Sequence, residues 1–419
     1  MIFENTLAFA QNCDQSDALS KYRNDFFIPQ YMGQNSVYLT GNSLGLQPKS
    51  AINHLQQELK DWAELGVEGH FHGKNPWFYY HKLFSESAAK VVGAKPMEVV
   101  IMNNLTVNLH LLMVSFYRPT KTRYKIIMEG GAFPSDQYAM ESQVKFHGFE
   151  YDDAVIEVSP RPGEYSLRTE DILKVIDENA DSVALVMFSG VQYYTGQAFD
   201  IKTITQKTHS VGAVAGFDLA HAAGNLVLEL NAWNVDFAVW CSYKYMNSGP
   251  GGVSGAFVHE NHANNPNLPR FAGWWGHKED ERFLMKKGFI PEEGAAGWQL
   301  SNAPVMSMAI HRASLDIFDE VGMVALNQKS TKLNRYLQYV VEEASKANNK
   351  LDFTIITPEE RGCQLSILTG SNGKAIFDHL TKNGVIADWR EPNVIRLAPV
   401  PLYNSFLDVF FFGQHLQSF

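Results

Sequence analysis

The chain has 419 residues, of which 45% are hydrophobic and 19% charged, so it can bury a large core and is not disordered by composition. At roughly 150 residues per domain, the length allows two or three structural units. A net charge of −10, from 35 Lys plus Arg against 45 Asp plus Glu, argues against a protein built to grip nucleic acid or an anionic membrane.

The first residues contain Glu4 and no base before Lys21, so the charged start of a signal peptide is missing. No apolar run approaches the ~18 residues of a membrane span. The expected location is the cytoplasm. Cys13, Cys241 and Cys363 are odd in number, far apart and form no CxxC pair, which disfavours a disulfide scaffold and a structural zinc site. His70 and His72 have no carboxylate-rich or HExxH context, so no metal site is expected.

Along the chain, Thr106 opens a helical run over Val107–Phe116, and Tyr124–Glu129 is a short apolar strand candidate. A helical pattern over Glu170–Asn179 precedes Val183–Ser189, a continuous apolar run of the length of a buried strand. Ile201–His209 again has helical spacing, and Ala213–Asp218, Val235–Ser242 and Gly255–His259 read as further strands. Strands separated by helices predict an α/β fold with a mostly parallel central sheet covered on both faces. Past Pro304 a long helical stretch from Val305 to about Ala347 leads into shorter strands at Phe353–Ile356 and Gln364–Leu368. The predicted division is an N-terminal arm over 1–50, a large domain over 51–309 and a smaller α+β domain over 310–419.

Ligands of open α/β sheets bind beyond the carboxyl ends of the strands. That rule selects the loops after Met102, Glu129, Phe217 and Cys241, all rich in polar or small residues. Lys244, in Ser242-Tyr-Lys-Tyr245 ahead of Gly249-Pro-Gly-Gly252, carries the most weight. A lysine held there can condense with an aldehyde cofactor. Asp218, ending the neighbouring strand, could keep a pyridine nitrogen protonated, and Thr106 at a helix start suits an anion. Competing motifs fail. Ser254 replaces the last glycine of a dinucleotide fingerprint, Gly69–Asn75 has the wrong spacing for a P-loop, and no Gly-x-Ser-x-Gly is present.

Phe217–Asn225 (FDLAHAAGN) and Val235–Gly252 (VDFAVWCSYKYMNSGPGG) together resemble the kynureninase family, fold-type-I pyridoxal-phosphate enzymes. The resemblance continues in order through Tyr38–Lys49, Gly69–Trp77, Asn103–Tyr117, Ala132–Ala139, Phe188–Gln197, Gly273–His277, Leu300–Pro304 and Ile395–Ser405. It implies hydrolytic Cβ–Cγ cleavage of kynurenine or 3-hydroxykynurenine to alanine and anthranilate or its 3-hydroxy form, in tryptophan degradation and NAD biosynthesis. It also implies that Lys244 bonds pyridoxal 5′-phosphate and later removes the Cα proton, that Asp218 faces the pyridine nitrogen, and that His221 lies beside the ring. Phe133 would stack on the ring, and Leu105, Thr106, Ser135, Tyr243 and Trp274 resemble the phosphate-binding set, with Asp136 and Ser189 completing the shell. Tyr243 is in addition the candidate acid. Trp274 and Asn302 would reach the other subunit's site, which makes a homodimer part of the reading. Arg396 resembles the residue that takes the substrate carboxylate, and Ser43, His70, Trp275 and Asn302 resemble its other contacts. Trp275 stands where the pattern leads us to expect Phe, so a larger indole would narrow the aryl pocket. Polar His70 and Asn302 favour 3-hydroxykynurenine. A cysteine desulfurase or class-V aminotransferase would share Asp218 and Lys244, the former with Cys363 as its reactive thiol. A silent protein that merely kept the fold is the remaining alternative.

Overall fold

Continuous apolar runs upstream of Pro304 become strands buried on both faces. In the computed structural model, which describes residues 2–419, seven strands form one sheet. They are β1 (Val99–Met102), β2 (Lys125–Glu129), β3 (Val155–Val158), β4 (Val183–Ser189), β5 (Val214–Asp218), β6 (Phe237–Cys241) and β7 (Ser254–Val258). Their spatial order is β1-β7-β6-β5-β4-β2-β3. Neighbours pair in parallel except β7, which runs antiparallel to both β1 and β6. Alternate side chains of one strand enter two different cores. Val186 and Phe188 of β4 pack with Phe217 and Trp240, whereas Leu185 and Met187 pack with Phe237 and Val239 on the opposite face. This two-sided burial explains why β4 reads as unbroken apolar sequence rather than as an alternation.

The helical stretch after Pro304 is two helices, Val305–Val321 and Met323–Ala347, broken at Gly322, whose φ of +76° suits glycine. The first helix carries Met308, Ala309, Leu315 and Phe318 into the large core. The second leaves that core after Leu326 and enters a separate one from Leu333 onward. One apolar core therefore gives way to the other inside the second helix. The smaller unit has a four-stranded antiparallel sheet of β8 (Phe353–Ile355), β9 (Leu365–Thr369), β10 (Asp388–Arg390) and β11 (Val394–Leu397), in the order β8-β9-β11-β10.

The N-terminal arm joins both units. Ala10, Val37 and Leu39 enter the small core, while Tyr22, Phe26 and Leu46 enter the large one. Asp14 accepts hydrogen bonds from the backbone N–H groups of Phe406 (2.7 Å) and Leu407 (3.0 Å), so the arm caps the start of the C-terminal helix Phe406–Gln417. Val37–Tyr38 adds a parallel pair to Val385–Ile386. Among the described residues, no helix is long and apolar enough to cross a membrane.

Candidate active site

The carboxyl ends of four adjacent parallel strands, β2, β4, β5 and β6, bring Glu129, Ser189, Asp218 and Cys241 to one cavity. Ten sequence-predicted residues line it together: Leu105, Thr106, Phe133, Ser135, Asp136, Ser189, Asp218, His221, Tyr243 and Lys244. Topology gathers them, since each lies at a strand end, in the loop that follows or in the first turn of the next helix.

Lys244 sits on a tight turn directly after β6. The Ser248 N–H donates to the Ser242 carbonyl at 3.1 Å, and Asn247 adopts a left-handed φ of +50°. Gly45 of the arm presses onto this turn and donates its N–H to the Tyr243 carbonyl at 2.8 Å. A Cβ at residue 45 would lie 2.2 Å from the Lys244 carbonyl oxygen, so only glycine fits. The lysine Nζ lies 3.0 Å from His221 Nε2 and 5.7 Å from the centre of the Phe133 ring. Burial, and then the Lys244 charge, push His221 well below its ordinary 6.5, so the imidazole is neutral. With Nε2 accepting from Lys244, the ring proton resides on Nδ1, a buried atom with no protein partner.

The floor beneath the lysine is acidic. Burial raises both Asp218 and Asp136, and the neighbouring Asp218 carboxylate raises Asp136 further. Asp218 accepts the Ala220 N–H at 2.7 Å, whereas Asp136 Oδ1 is buried without a partner. Glu129 is buried too. Its carboxylate accepts the Ser189 N–H at 3.0 Å and the Ser189 hydroxyl, and burial outweighs those bonds, pushing it up to about 7. Burial and then Cys241 raise the Tyr243 phenol, which therefore keeps its proton near neutral pH. Among its lining residues the cavity holds one lysine and three carboxyls.

Two helices, Leu105–Phe116 and Pro134–Phe146, begin at the cavity wall, and neither N-cap residue makes a side-chain capping bond. Their Thr106 and Ser135 hydroxyl oxygens lie 2.9 Å apart. Free first-turn N–H groups and two hydroxyls make an anion site. The Phe133 ring, 43% exposed, presents a flat face beside it. These features fit pyridoxal phosphate: an anion site for the phosphate, a ring face for stacking, and two unpartnered buried atoms, His221 Nδ1–H and Asp136 Oδ1, for polar groups on the ring.

Six predicted residues lie outside this lining. Ser43, Trp274 and Asn302 are exposed. His70 packs edge-on against Trp77 at 5.4 Å. Trp275 is buried within its own chain, its ring 5.4 Å from Phe78 and 4.5 Å from the Arg282 guanidinium. Arg396, on β11, is buried: it donates to the Tyr193 carbonyl at 2.6 Å and pairs with Asp388, leaving Nε unpartnered. Tyr193 itself lines the cavity, with its ring edge-on to Phe133 at 5.2 Å, so one residue connects the small unit to the floor. Glu129, Tyr193 and Cys241 are lining residues that the sequence reading passed over. The rule that selected Asp218 at a strand end would have found Glu129 and Cys241, both of which also end strands.

Comparison with known proteins agrees with this geometry. The class-V aminotransferase family model matches residues 37–369, and the model for the kynureninase C-terminal domain matches 326–416. Kynureninase of Flavobacterium psychrophilum is 58% identical, covering 100% of this chain and 99% of that protein. Kynureninase of Myxococcus xanthus is 53% identical over 99% of this chain and 98% of its own, and that of Nematostella vectensis 50% over 98% and 93%. Among solved structures, a C-DES mutant with glycine covalently linked to its PLP cofactor superposes with a TM-score of 0.76 at 15% identity, covering 92% of this chain and 97% of that one. The apo cysteine desulfurase of Thermococcus onnurineus gives 0.72 at 15% identity over 97% of each chain. At such identities the structures show the shared fold alone, a fold-type-I arrangement of a mostly parallel sheet with helices. The full-length relatives show more: this chain belongs to the kynureninase family.

Proposed function

We propose that the protein hydrolyses the Cβ–Cγ bond of L-kynurenine and 3-hydroxy-L-kynurenine with pyridoxal 5′-phosphate as cofactor. One water is consumed, and L-alanine and anthranilate or 3-hydroxyanthranilate leave. The observation that carries this reading is the convergence of Lys244, the Asp218–Asp136 pair and two uncapped helix starts in one cavity.

Thr106, Ser135 and the first turns of their helices would hold the phosphate, Phe133 the ring face, and Asp218 with Asp136 the ring nitrogen. When bound, the cofactor supplies an aldehyde that lysine and substrate amines can exchange, and an electron-accepting ring. Lys244 takes the Cα proton, and neutral His221, 3.0 Å away, can accept a hydrogen bond from that amine but adds no competing charge. Tyr243 keeps its proton and so can donate to the γ-carbonyl oxygen or to Cβ. Arg396 has one unpartnered Nε–H for a carboxylate, next to the Tyr193 carbonyl it already grips.

The working unit is a homodimer. Trp274 is 49% exposed and lies, with exposed Phe283 and Met285, outside its own chain's cavity, which suits residues that complete a partner's site. His70 and Asn302 then face the aryl ring, and 3-hydroxykynurenine is the better substrate. Three free cysteines suit a reducing compartment, the cytoplasm. No observation favours a desulfurase: Cys363 is buried and its thiol is pushed up to about 12, which leaves no reactive thiolate.

Lys244→Ala tests the reading. The variant is expected to lose both turnover and borohydride-fixable cofactor. A variant that keeps both overturns the assignment, and a kcat/KM ratio favouring kynurenine overturns the substrate preference.

A further inference from the structure

Glu129 is the one buried carboxyl in the cavity that the proposed reaction does not use. It ends β2, next to Ser189 at the end of β4, which pairs in register with Asp218 at the end of β5. Three neighbouring parallel strands thus present Glu129, Ser189 and Asp218 side by side. Ser189 gives Glu129 two hydrogen bonds, one from its N–H at 3.0 Å and one from its hydroxyl. A carboxyl this deep is expensive to maintain: among the described residues no cation pairs with it, and apolar replacement would leave only Ser189 to satisfy. The groups that face it are Ser189, Asp218 and Asp136, and the nearest cation in the cavity is Lys244. Burial pushes Glu129 up to about 7, with the Asp218 charge adding to the shift, so the two carboxyls feel each other.

We propose that Glu129 is a positioning residue behind Asp218: its carboxylate adds negative potential at the place of the ring nitrogen and, through Ser189, fixes the floor that receives it. This rests on the pyridoxal phosphate reading above. A negative charge two strands from Asp218 favours a protonated ring nitrogen, and it favours nothing in a ring that lacks the nitrogen. The effect therefore appears as a preference between two ligands and not as general tightness.

The test uses the full-length apo-protein at pH 8, where Glu129 is ionised, and measures binding of pyridoxal phosphate and of its 1-deaza analogue, in which CH replaces the ring nitrogen. Glu129→Gln suits the purpose because the amide can accept from the Ser189 N–H and donate to its hydroxyl. The wild type is expected to prefer pyridoxal phosphate, and Glu129→Gln to lose about tenfold of that preference, as one charge about 10 Å away at an effective dielectric of about 20 implies. Glu129→Asp, which keeps the charge, is expected to retain most of it. If the glutamine variant weakens both ligands equally and keeps the ratio, Glu129 is merely structural and the proposal fails. If the glutamine chain does not fold, the ring-¹⁵N shift of labelled pyridoxal phosphate on the wild type decides. A nitrogen that loses its proton below pH 8 contradicts the proposal, and one protonated through pH 8 agrees with it. Wild-type protein that binds neither ligand overturns the cofactor reading itself, a result distinct from an unchanged ratio.

Discussion

The floor and the rim of the cavity are built on opposite principles. On the floor, Lys244, His221 and Asp218 sit at a strand end or in the loops just after, and Asp136 in the first turn of a helix; three are buried, Lys244 is half-buried, and their bonds lie within one chain. The proposed rim differs: Trp274 and Asn302 are exposed and lie outside their own chain's cavity, and Arg396 reaches the site only by way of Tyr193 and a second structural unit. The contrast separates chemistry from completion. One chain organises the groups that move protons, and in the proposed homodimer a second chain finishes the walls that hold phosphate and substrate.

The largest test of this division is Lys244→Ala, a floor change. Turnover is expected to fall by about 10⁴-fold or more, while the thermal midpoint of the apo-protein stays within a few degrees. Loss of folding along with activity would mean that the lysine also supports the turn. Mixing chains probes the rim. Lys244→Ala and Asn302→Ala are each expected to be nearly inactive alone. Refolded together, they should recover about a quarter of wild-type activity, since half the dimers then contain one intact site in two. No recovery would place Asn302 in its own chain's site. Tyr243→Phe comes next, with kcat lowered about 10²-fold and cofactor affinity changed less than about tenfold if the phenol acts as a proton donor. The opposite split, weak cofactor binding with normal kcat at saturation, would make it a phosphate ligand only.

A change at the far end of the sheet is expected to leave the site alone. Asp236 sits just ahead of β6, 2.8 Å from His209 and 2.6 Å from His262, and accepts the Ala215 N–H at 2.7 Å. Burial alone would raise its carboxyl, but these hydrogen bonds prevail and bring it to about 2, against an ordinary 3.8. A lowered carboxyl stabilises the fold fully above about pH 4, and the stabilisation is lost as pH falls toward 2. Asp236→Asn should cost about 1–3 kcal/mol near pH 6, seen in denaturant titration, and should flatten the acid limb. Cofactor affinity should not change.

Much of the floor was legible before any coordinates. Val183–Ser189 and Ala213–Asp218 are apolar runs whose length and bounding turns leave little but a buried strand, and polar residues at their ends then mark a site. Three features escaped, each for a physical reason. Strand β3 is only half-buried at the sheet edge, so Val155–Val158 lacks the apolar continuity of its neighbours. Gly322 breaks a helical pattern whose apolar spacing runs on through it. Glu129 reads as the end of Tyr124–Glu129, and only the strand order β5-β4-β2 shows that it stands behind Asp218. The rim was named from family resemblance, not from pattern, because no local periodicity marks its residues as part of a site. Trp275, named from the resemblance alone, packs against Phe78 and Arg282 of its own chain.

The most direct measurement is product analysis of the pyridoxal-phosphate-loaded enzyme acting on L-kynurenine in ¹⁸O-water. Equimolar L-alanine and anthranilate are expected, with one ¹⁸O in the anthranilate carboxylate, because hydrolysis of the Cβ–Cγ bond turns the ketone carbon into a carboxyl carbon. Kynurenine left uncleaved while the loaded enzyme releases sulfide from cysteine, or cleavage without solvent oxygen in the product, would contradict the proposed function.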